Sequence, residues 1–346
     1  GGGEIAAGAY TIELEGEGAV DMYLAQADLE TGLFGTVYLD GENVAKGGTV
    51  DIPATGRDVI AAGAMPVRTS WRPADGTLIE AGGAGPGEPS LFSSAGPSRD
   101  GAIKPDFLAP GEWIAAAFSS TLDAGNPDAV IHGMTPGNVL TADGTHVYSR
   151  GTSSSAPHLA GLVALLFEAD PGMTFEEARA ALLFSGAGAP AGDGGAPLDE
   201  TGFAAPDFTA AADIAAGRLG SEIDLDASLV LAGAGIYAPR FSPPVEILVL
   251  PLDSLGAPAA GADELEIIPT DCAMEGEPRT IEPGLVVQAW SCDDGEAPPP
   301  GRTVFFAAET GGRRLTHAAS ILISDERTPS ESHLTPSGGC SLALPL

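Results

Sequence analysis

The segment Gly151-Thr152-Ser153-Ser154-Ser155-Ala156-Pro157-His158 opens an apolar run that continues through Leu159, Leu162, Val163, Leu165 and Leu166. That run predicts a helix over 152–168, and a helix that is apolar on nearly all sides is a buried one. Ser153 falls in its first turn. The Ser153 backbone amide is then one of the helix's unpaired donors, and the helix N-terminus carries partial positive charge. Both features favour negative charge forming on an oxygen held beside them. The chemistry this suits is attack of the Ser153 hydroxyl on an acyl carbon, with the Ser153 amide as an oxyanion donor. Gly151 and Thr152 lead into the turn. Pro157 is read as early in the helix, where a missing amide does least harm. Ala156, Ala160 and Gly161 are small enough to allow close packing beneath. Taken alone, a serine here is also an ordinary N-cap.

The composition bounds the partners. The chain has 346 residues, enough for two domains, and is 44% apolar, so it is not a disordered polymer. It carries 48 acidic residues against 15 basic ones, a net charge of −33. That balance argues against nucleic acid and anionic membranes, whose phosphates would be repelled. The plain reading is a solvated acidic surface. The sharper one is structural calcium, since carboxylates are preferred ligands for hard cations. No Asp-x-Asp-x-Asp-Gly loop occurs, however, and no metal ligand set is assigned; Asp193 and Asp199 in the 186–202 loop are the candidates. The three cysteines are Cys272, Cys292 and Cys340, with no Cys-x-x-Cys pair to suggest zinc. Cys272 and Cys292 lie in one strand-rich stretch and are candidates for a disulfide, which would imply an oxidising compartment. Two buried free thiols are the other reading. No apolar run reaches about 18 residues, so no membrane span is expected.

The elements that must position Ser153 can be read from periodicity. Residues 4–50 alternate in short runs and read as a small β unit. Asp58–Ala64 is a short apolar run suited to a fully buried strand of a parallel sheet. Residues 65–90 and 119–147 are loop-like, and Trp113–Phe118 reads as a strand. Asp170-Pro-Gly stops the long helix. Thr174-Phe-Glu-Glu177 forms a capping box, so a second helix should run to about Phe184. Phe208–Ala216 is a third short helix. After Gly220 the chain turns to β-like runs near 228–232, 245–250, 265–268, 285–290, 303–307 and 319–323, which read as a β-sandwich. Trp290 beside Cys292 fits the core of an immunoglobulin-like sandwich. Residues 326–346 read as a flexible tail.

Gly-Thr-Ser-x-Ser-Ala-Pro-His-x-Ala-Gly at 151–161 resembles the serine motif of the subtilisin-like serine proteases, the subtilase (peptidase S8) family. Lys104-Pro-Asp-Phe-Leu-Ala-Pro-Gly111 resembles the family segment that precedes that motif. Phe92–Pro97, Asp58–Ala64 and the capping-box helix also match, in the family's order. The resemblance covers about residues 51–218. It implies an α/β fold, here part of a parallel-sheet three-layer domain, followed by the all-β sandwich. The expected organisation is a β-rich insertion at 1–50, the C-terminal part of the catalytic domain at 51–220, the sandwich at 221–325 and the tail. It further implies a secreted or cell-surface serine endopeptidase that acts on polypeptides through an acyl-enzyme and needs no cofactor for its chemistry, with structural calcium compatible with the family. His158 belongs to the serine motif and is expected to pack with a hydrogen bond and take no part in the chemistry.

The sequence also departs from the pattern. The family's triad is Asp, His and Ser in chain order, with an Asn side chain as second oxyanion donor. No Asp-Ser-Gly, His-Gly-Thr or strand-linked Gly-Asn segment is present. His132, His146, His317 and His333, like Asn43, Asn126 and Asn138, lack the context. The expectation is that the Asp, His and Asn precede residue 1. The partner is then the missing N-terminal half or a second copy, and the chain alone is inactive. A triad without its base loses on the order of 10⁶ in turnover, about 8 kcal/mol of barrier. The alternative reading is a non-catalytic secreted or surface binding protein on a degenerate scaffold.

Overall fold

The computed structural model describes residues 47–98, 100–119, 121, 136–186, 200–203, 205–238, 242–261, 264–269, 271–292 and 301–324. All but the last four residues of the β unit expected at 1–50, together with His132, His333, Asn43, Asn126, Asp193, Asp199, Cys340 and the tail, lie outside these residues. The fold is α/β, as the resemblance implies.

Two strands with small apolar side chains lie side by side. β1 (Ala62–Pro66) runs parallel to β4 (Phe107–Ala117), with Ala62 opposite Phe107 and Met65 opposite Pro110. β1 starts four residues later than the apolar run suggested. Residues 58–60 stay outside the strand, and the Ala61 amide donates to the Asp106 carboxylate at 2.8 Å. Between the two strands in sequence lies a short pair, β2 (Ser70–Trp71) and β3 (Ile79–Glu80). On its outer side β1 meets a loop rather than a strand: the Ala64 carbonyl accepts from Ser90 at 2.8 Å and its amide donates to Ser93 Oγ at 3.0 Å.

A one-turn helix, α1 (Pro136–Val139), precedes β5 (His146–Arg150), which pairs antiparallel with β4. The sheet among the described residues is therefore mixed, with order β1-β4-β5 and a single parallel pair. β4 also begins six residues before Trp113. Trp113 is the extra residue of a bulge, since Glu112 pairs with Arg150 and Ile114 with Ser149.

Helix α2 (Thr152–Ala169) follows β5 directly and packs on β1 and β4. The expectation of burial on all sides does not hold. Ser155, Leu159, Leu162 and Leu166 are buried, while Leu165 is 52% and Phe167 39% exposed. The buried set follows the spacing of one helical stripe, so the sheet covers one face and no described element covers the other. α3 (Phe175–Gly186) starts at the capping box: Thr174 N donates to Glu177 Oε2 at 2.6 Å and Glu177 N to Thr174 Oγ1 at 3.3 Å. α4 (Phe208–Ala215) is capped by Asp207, whose carboxylate accepts from the Ala210 amide. It packs against α3 and α2.

The remaining strands form two sheets. The four-stranded sheet has order β10-β11-β8-β6, built from β6 (Leu229–Ala232), β8 (Val245–Leu250), β10 (Ala273–Ile281) and β11 (Leu285–Ser291). The other contains β7 (Ile236–Tyr237), β9 (Leu265–Pro269), β12 (Thr303–Thr310), β13 (Arg313–Arg314) and β14 (Ala319–Ile323). Successive residues of β8 serve different cores. Val245, Ile247 and Val249 join Val286, Trp290, Phe306 and Ile321 between the two sheets. Leu248 and Leu250 join Leu285 and Val287 against α2, α3 and α4. A strand covered on both faces reads as a continuous apolar run, which is why Val-Glu-Ile-Leu-Val-Leu shows almost no alternation. The apolar core is thus continuous across residue 220.

Cys272 and Cys292 are joined by a disulfide. It sits at the open end of the β10–β11 ladder, beside the Ala273–Ser291 pair, and continues the same register. Trp290 packs on Phe306 with ring centroids 5.9 Å apart.

Candidate active site

β5 delivers the chain to Gly151, which has φ 142°, a backbone conformation that favours glycine. The Gly151 amide donates to the Gly111 carbonyl at 2.8 Å, and the Ser154 amide to the Gly151 carbonyl at 2.9 Å. These two bonds seat the first turn of α2 on strand β4. Thr152 and Ser153 are both exposed. Their amides precede the first i→i−4 bond of the helix, so they point outward as donors.

Ser155, two residues on, is fully buried, and its hydroxyl has no hydrogen-bond partner among the described residues. It fills the space beside Gly111 where a Cβ would otherwise stand. The missing side chain at Gly111 is therefore what lets the helix start rest against the sheet. Pro157 lies deeper than the sequence reading placed it. It is the sixth helical residue, and its missing amide leaves the Ser153 carbonyl without its i+4 donor.

His158 donates from Nδ1 to the Ser154 carbonyl at 2.7 Å, which turns its ring along its own helix. His146 bonds Asp143 at 3.1 Å and Thr145 Oγ1 at 2.9 Å, and His317 bonds the Asp226 carbonyl at 3.0 Å. None of these three rings bonds Ser153. Asn138 gives its backbone carbonyl to Trp71 Nε1 at 2.8 Å. Ser153 is thus presented without a base among the described residues.

The Lys-Pro-Asp segment holds the sheet that carries the site. Lys104 and Asp106 are 3% and 2% exposed. Lys104 Nζ donates to Asp106 Oδ2 and to the Val59 carbonyl, each at 2.7 Å. Arg179 of α3 lies 3.5 Å from the other Asp106 oxygen. The Asp106 carbonyl accepts from the Phe203 amide at 2.8 Å. One carboxylate therefore ties the start of β1, the start of β4 and α3 together. Sequence reasoning missed Arg179, which carries no local signal on its helix. It also missed Trp71, whose ring lies 4.3 Å from that of Trp113.

A cleft of about 230 Å³ lies elsewhere, lined among others by Arg57, Asp100, Glu176, Arg179, Glu246 and Arg279. No residue of β5 or α2 lines it, and its arginines are paired with its carboxylates. It is separate from the turn that carries Ser153. No cluster of three or more His, Cys, Asp or Glu side chains suited to a metal occurs among the described residues. No helix among them is long and apolar enough to cross a membrane.

Comparison with known proteins points to one family. Residues 34–203 match the model of the subtilase family, Peptidase_S8. The subtilisin-like protease SBT3 of Solanum lycopersicum is 36% identical over 93 residues, which are 26% of this chain and 11% of that protein. Among solved structures, the patellamide maturation protease PatA is 22% identical with a TM-score of 0.30, covering 48% of this chain and 46% of PatA. Fervidolysin from Fervidobacterium pennivorans, a keratinolytic enzyme related to subtilisin, is 17% identical with a TM-score of 0.30. That match covers 78% of this chain and 35% of fervidolysin. The chain spans less than half the length of each of these three relatives.

Proposed function

Because residues 34–203 belong to the subtilase family, we propose that this chain carries the nucleophile-bearing part of a serine endopeptidase, with Ser153 as nucleophile. The single observation that carries the reading is the exposed Ser153 in the first turn of an 18-residue helix, its turn pinned by the Gly151–Gly111 bond. In the reaction, Ser153 Oγ bonds the scissile carbonyl carbon while a base takes its proton. The Ser153 amide donates to the developing oxyanion. The C–N bond then breaks, the amine leaves with that proton, and water releases the acyl group from Ser153.

The base, its orienting carboxylate and the second oxyanion donor come from polypeptide outside the described residues, from an N-terminal half of the domain or a second copy. The exposed apolar side of α2, with Leu165 and Phe167, supports a covering segment. The two β-sheets are read as an appended immunoglobulin-like sandwich. The Cys272–Cys292 bridge supports an oxidising, extracellular setting. Structural calcium belongs to the same proposal.

A fluorophosphonate probe tests it. The chain alone should label negligibly at Ser153, and addition of a polypeptide carrying the His and Asp segments should restore labelling that Ser153→Ala abolishes. Rapid stoichiometric labelling of the chain alone would overturn the missing base. No labelling with the added half would overturn Ser153 as nucleophile.

A further inference from the structure

The strand behind the Ser153 turn contains a backbone conformation that a bulky residue rarely adopts. Trp113 has φ 58°, and it is the one non-glycine residue with positive φ among the described residues. Such outliers persist only where their surroundings over-determine them, and they cluster at functional sites. Here the surroundings can be named. The Trp113 indole is 3% exposed and lies against Trp71 at 4.3 Å. Trp71 in turn contacts Tyr148 of β5 at 5.5 Å, and its Nε1 is fixed by the Asn138 carbonyl. The guanidinium of Arg150 stands 5.1 Å from the centre of the Trp113 ring and 3.8 Å from the Glu112 carboxylate.

The location matters as much as the strain. Arg150 is the last residue of β5, and Gly151 follows it into the nucleophile turn. Trp113 is the bulged residue, so it has no partner across the ladder. On the near side of the bulge, Gly111 accepts the Gly151 amide, and Glu112 faces Arg150. A β4 strand without the extra residue would put every side chain from Ile114 onward on the opposite face and would take the indole away from Arg150.

We propose that Trp113 and Arg150 are positioning residues for Ser153. The strained indole is a platform that the Arg150 side chain grips, and this grip holds the Gly151–Gly111 bond on which the first turn of α2 rests. The proposal deepens the endopeptidase reading and rests on Ser153 being the nucleophile, but its test does not require catalysis.

The test is amide hydrogen exchange on the full chain, comparing Gly151 and Ser154 with residues 114–117 of the β4–β5 ladder beyond the bulge. Arg150→Met keeps the length and removes the cation. It should raise exchange at Gly151 and Ser154 about tenfold, with 114–117 unchanged. Arg150→Lys should recover part of the protection. Trp113→Gly, which removes the indole and suits φ 58°, should give the same local loss. Near-ultraviolet circular dichroism of the Trp71–Trp113 pair should persist in the Arg150 variants. Unchanged exchange at Gly151 in Arg150→Met would overturn the proposal, and so would an equal rise along the whole ladder. Should Trp113→Gly not fold, the Arg150 pair of variants decides alone. Failure of Ser153 labelling would sink the endopeptidase reading, whereas unchanged Gly151 exchange would sink this one.

Discussion

A methyl group on Gly111 would overlap the hydroxyl of Ser155 and come within 2.7 Å of the Ala64 side chain. The contact joins both strands of the sheet's one parallel pair, at Ala64 and Gly111, to Ser155, two residues after Ser153. Gly111→Ala should therefore destabilise by about 1–3 kcal/mol, the usual range for overpacking a tight core. Adding Ser155→Ala should restore only part, because Ala64 still obstructs. Urea unfolding of the two variants measures it, and a single variant as stable as the parent would refute the tight seat.

Asp106→Asn should be far more damaging than loss of a surface carboxylate. It leaves Lys104 and Arg179 facing a neutral amide in a site 3% exposed on the Asp106 side chain. Breaking one partner of a buried pair costs about 3–5 kcal/mol. Asp213→Asn removes an exposed partner of Arg218 and should change stability by less than about 1 kcal/mol. Guanidinium unfolding of the two variants side by side gives the contrast.

The pattern of what the residues disclosed follows from range. Local signals were legible: the capping box of Thr174 and Glu177 lies within four residues, and β8 reads as a strand from one apolar run, although its burial on both faces was not read from it. β10 was not legible. It holds Glu275, Gly276, Glu277, Pro278 and Arg279 in succession, with seven of its nine residues exposed. An edge strand needs neither alternation nor apolarity, and charge and proline there discourage pairing with another chain. The one-sided burial of α2 was likewise hidden, because composition tells how apolar a helix is but not which elements reach it. Within the site, Ser153 could be singled out from its own neighbours. The Trp71–Trp113–Arg150 stack could not, since its members are brought together from 42 and 37 positions apart by the sheet.

Acid should weaken the protein through Asp253. Amide donors from Ala257, Leu255, Ser221 and Gly256 outweigh the opposing effect of burial and hold its carboxyl below the ordinary value near about 3.9. The folded chain thus binds that proton less readily than the unfolded one. The contribution is full above the ordinary value and is lost as pH falls through the lowered one. Asp253→Asn should lower stability at neutral pH and flatten the acid limb below the ordinary carboxylate range. A stability-against-pH curve with the same acid limb in both proteins would count against this.

Reduction should loosen the second half of the molecule. Cys272 and Cys292 are 20 positions apart, and opening a loop of that size costs about 3 kcal/mol on the chain-entropy account. Thermal melts with and without reductant, and of Cys272→Ser/Cys292→Ser, should agree. A melt indifferent to reductant would contradict the bridge.

That same bridge has an evolutionary corollary. Because a covalent bond fixes which residue of β10 faces which residue of β11 at the open end of the ladder, as far as the irregularity after Glu275, side-chain pattern no longer has to specify it there. The exposed positions beside the bridge are therefore released to drift: substitutions at Met274 and Glu275 carry little penalty for folding, and acidic residues can accumulate there without cost to the register. The open end of the outer strand is where this molecule's surface charge is freest to change while its two cores stay as they are.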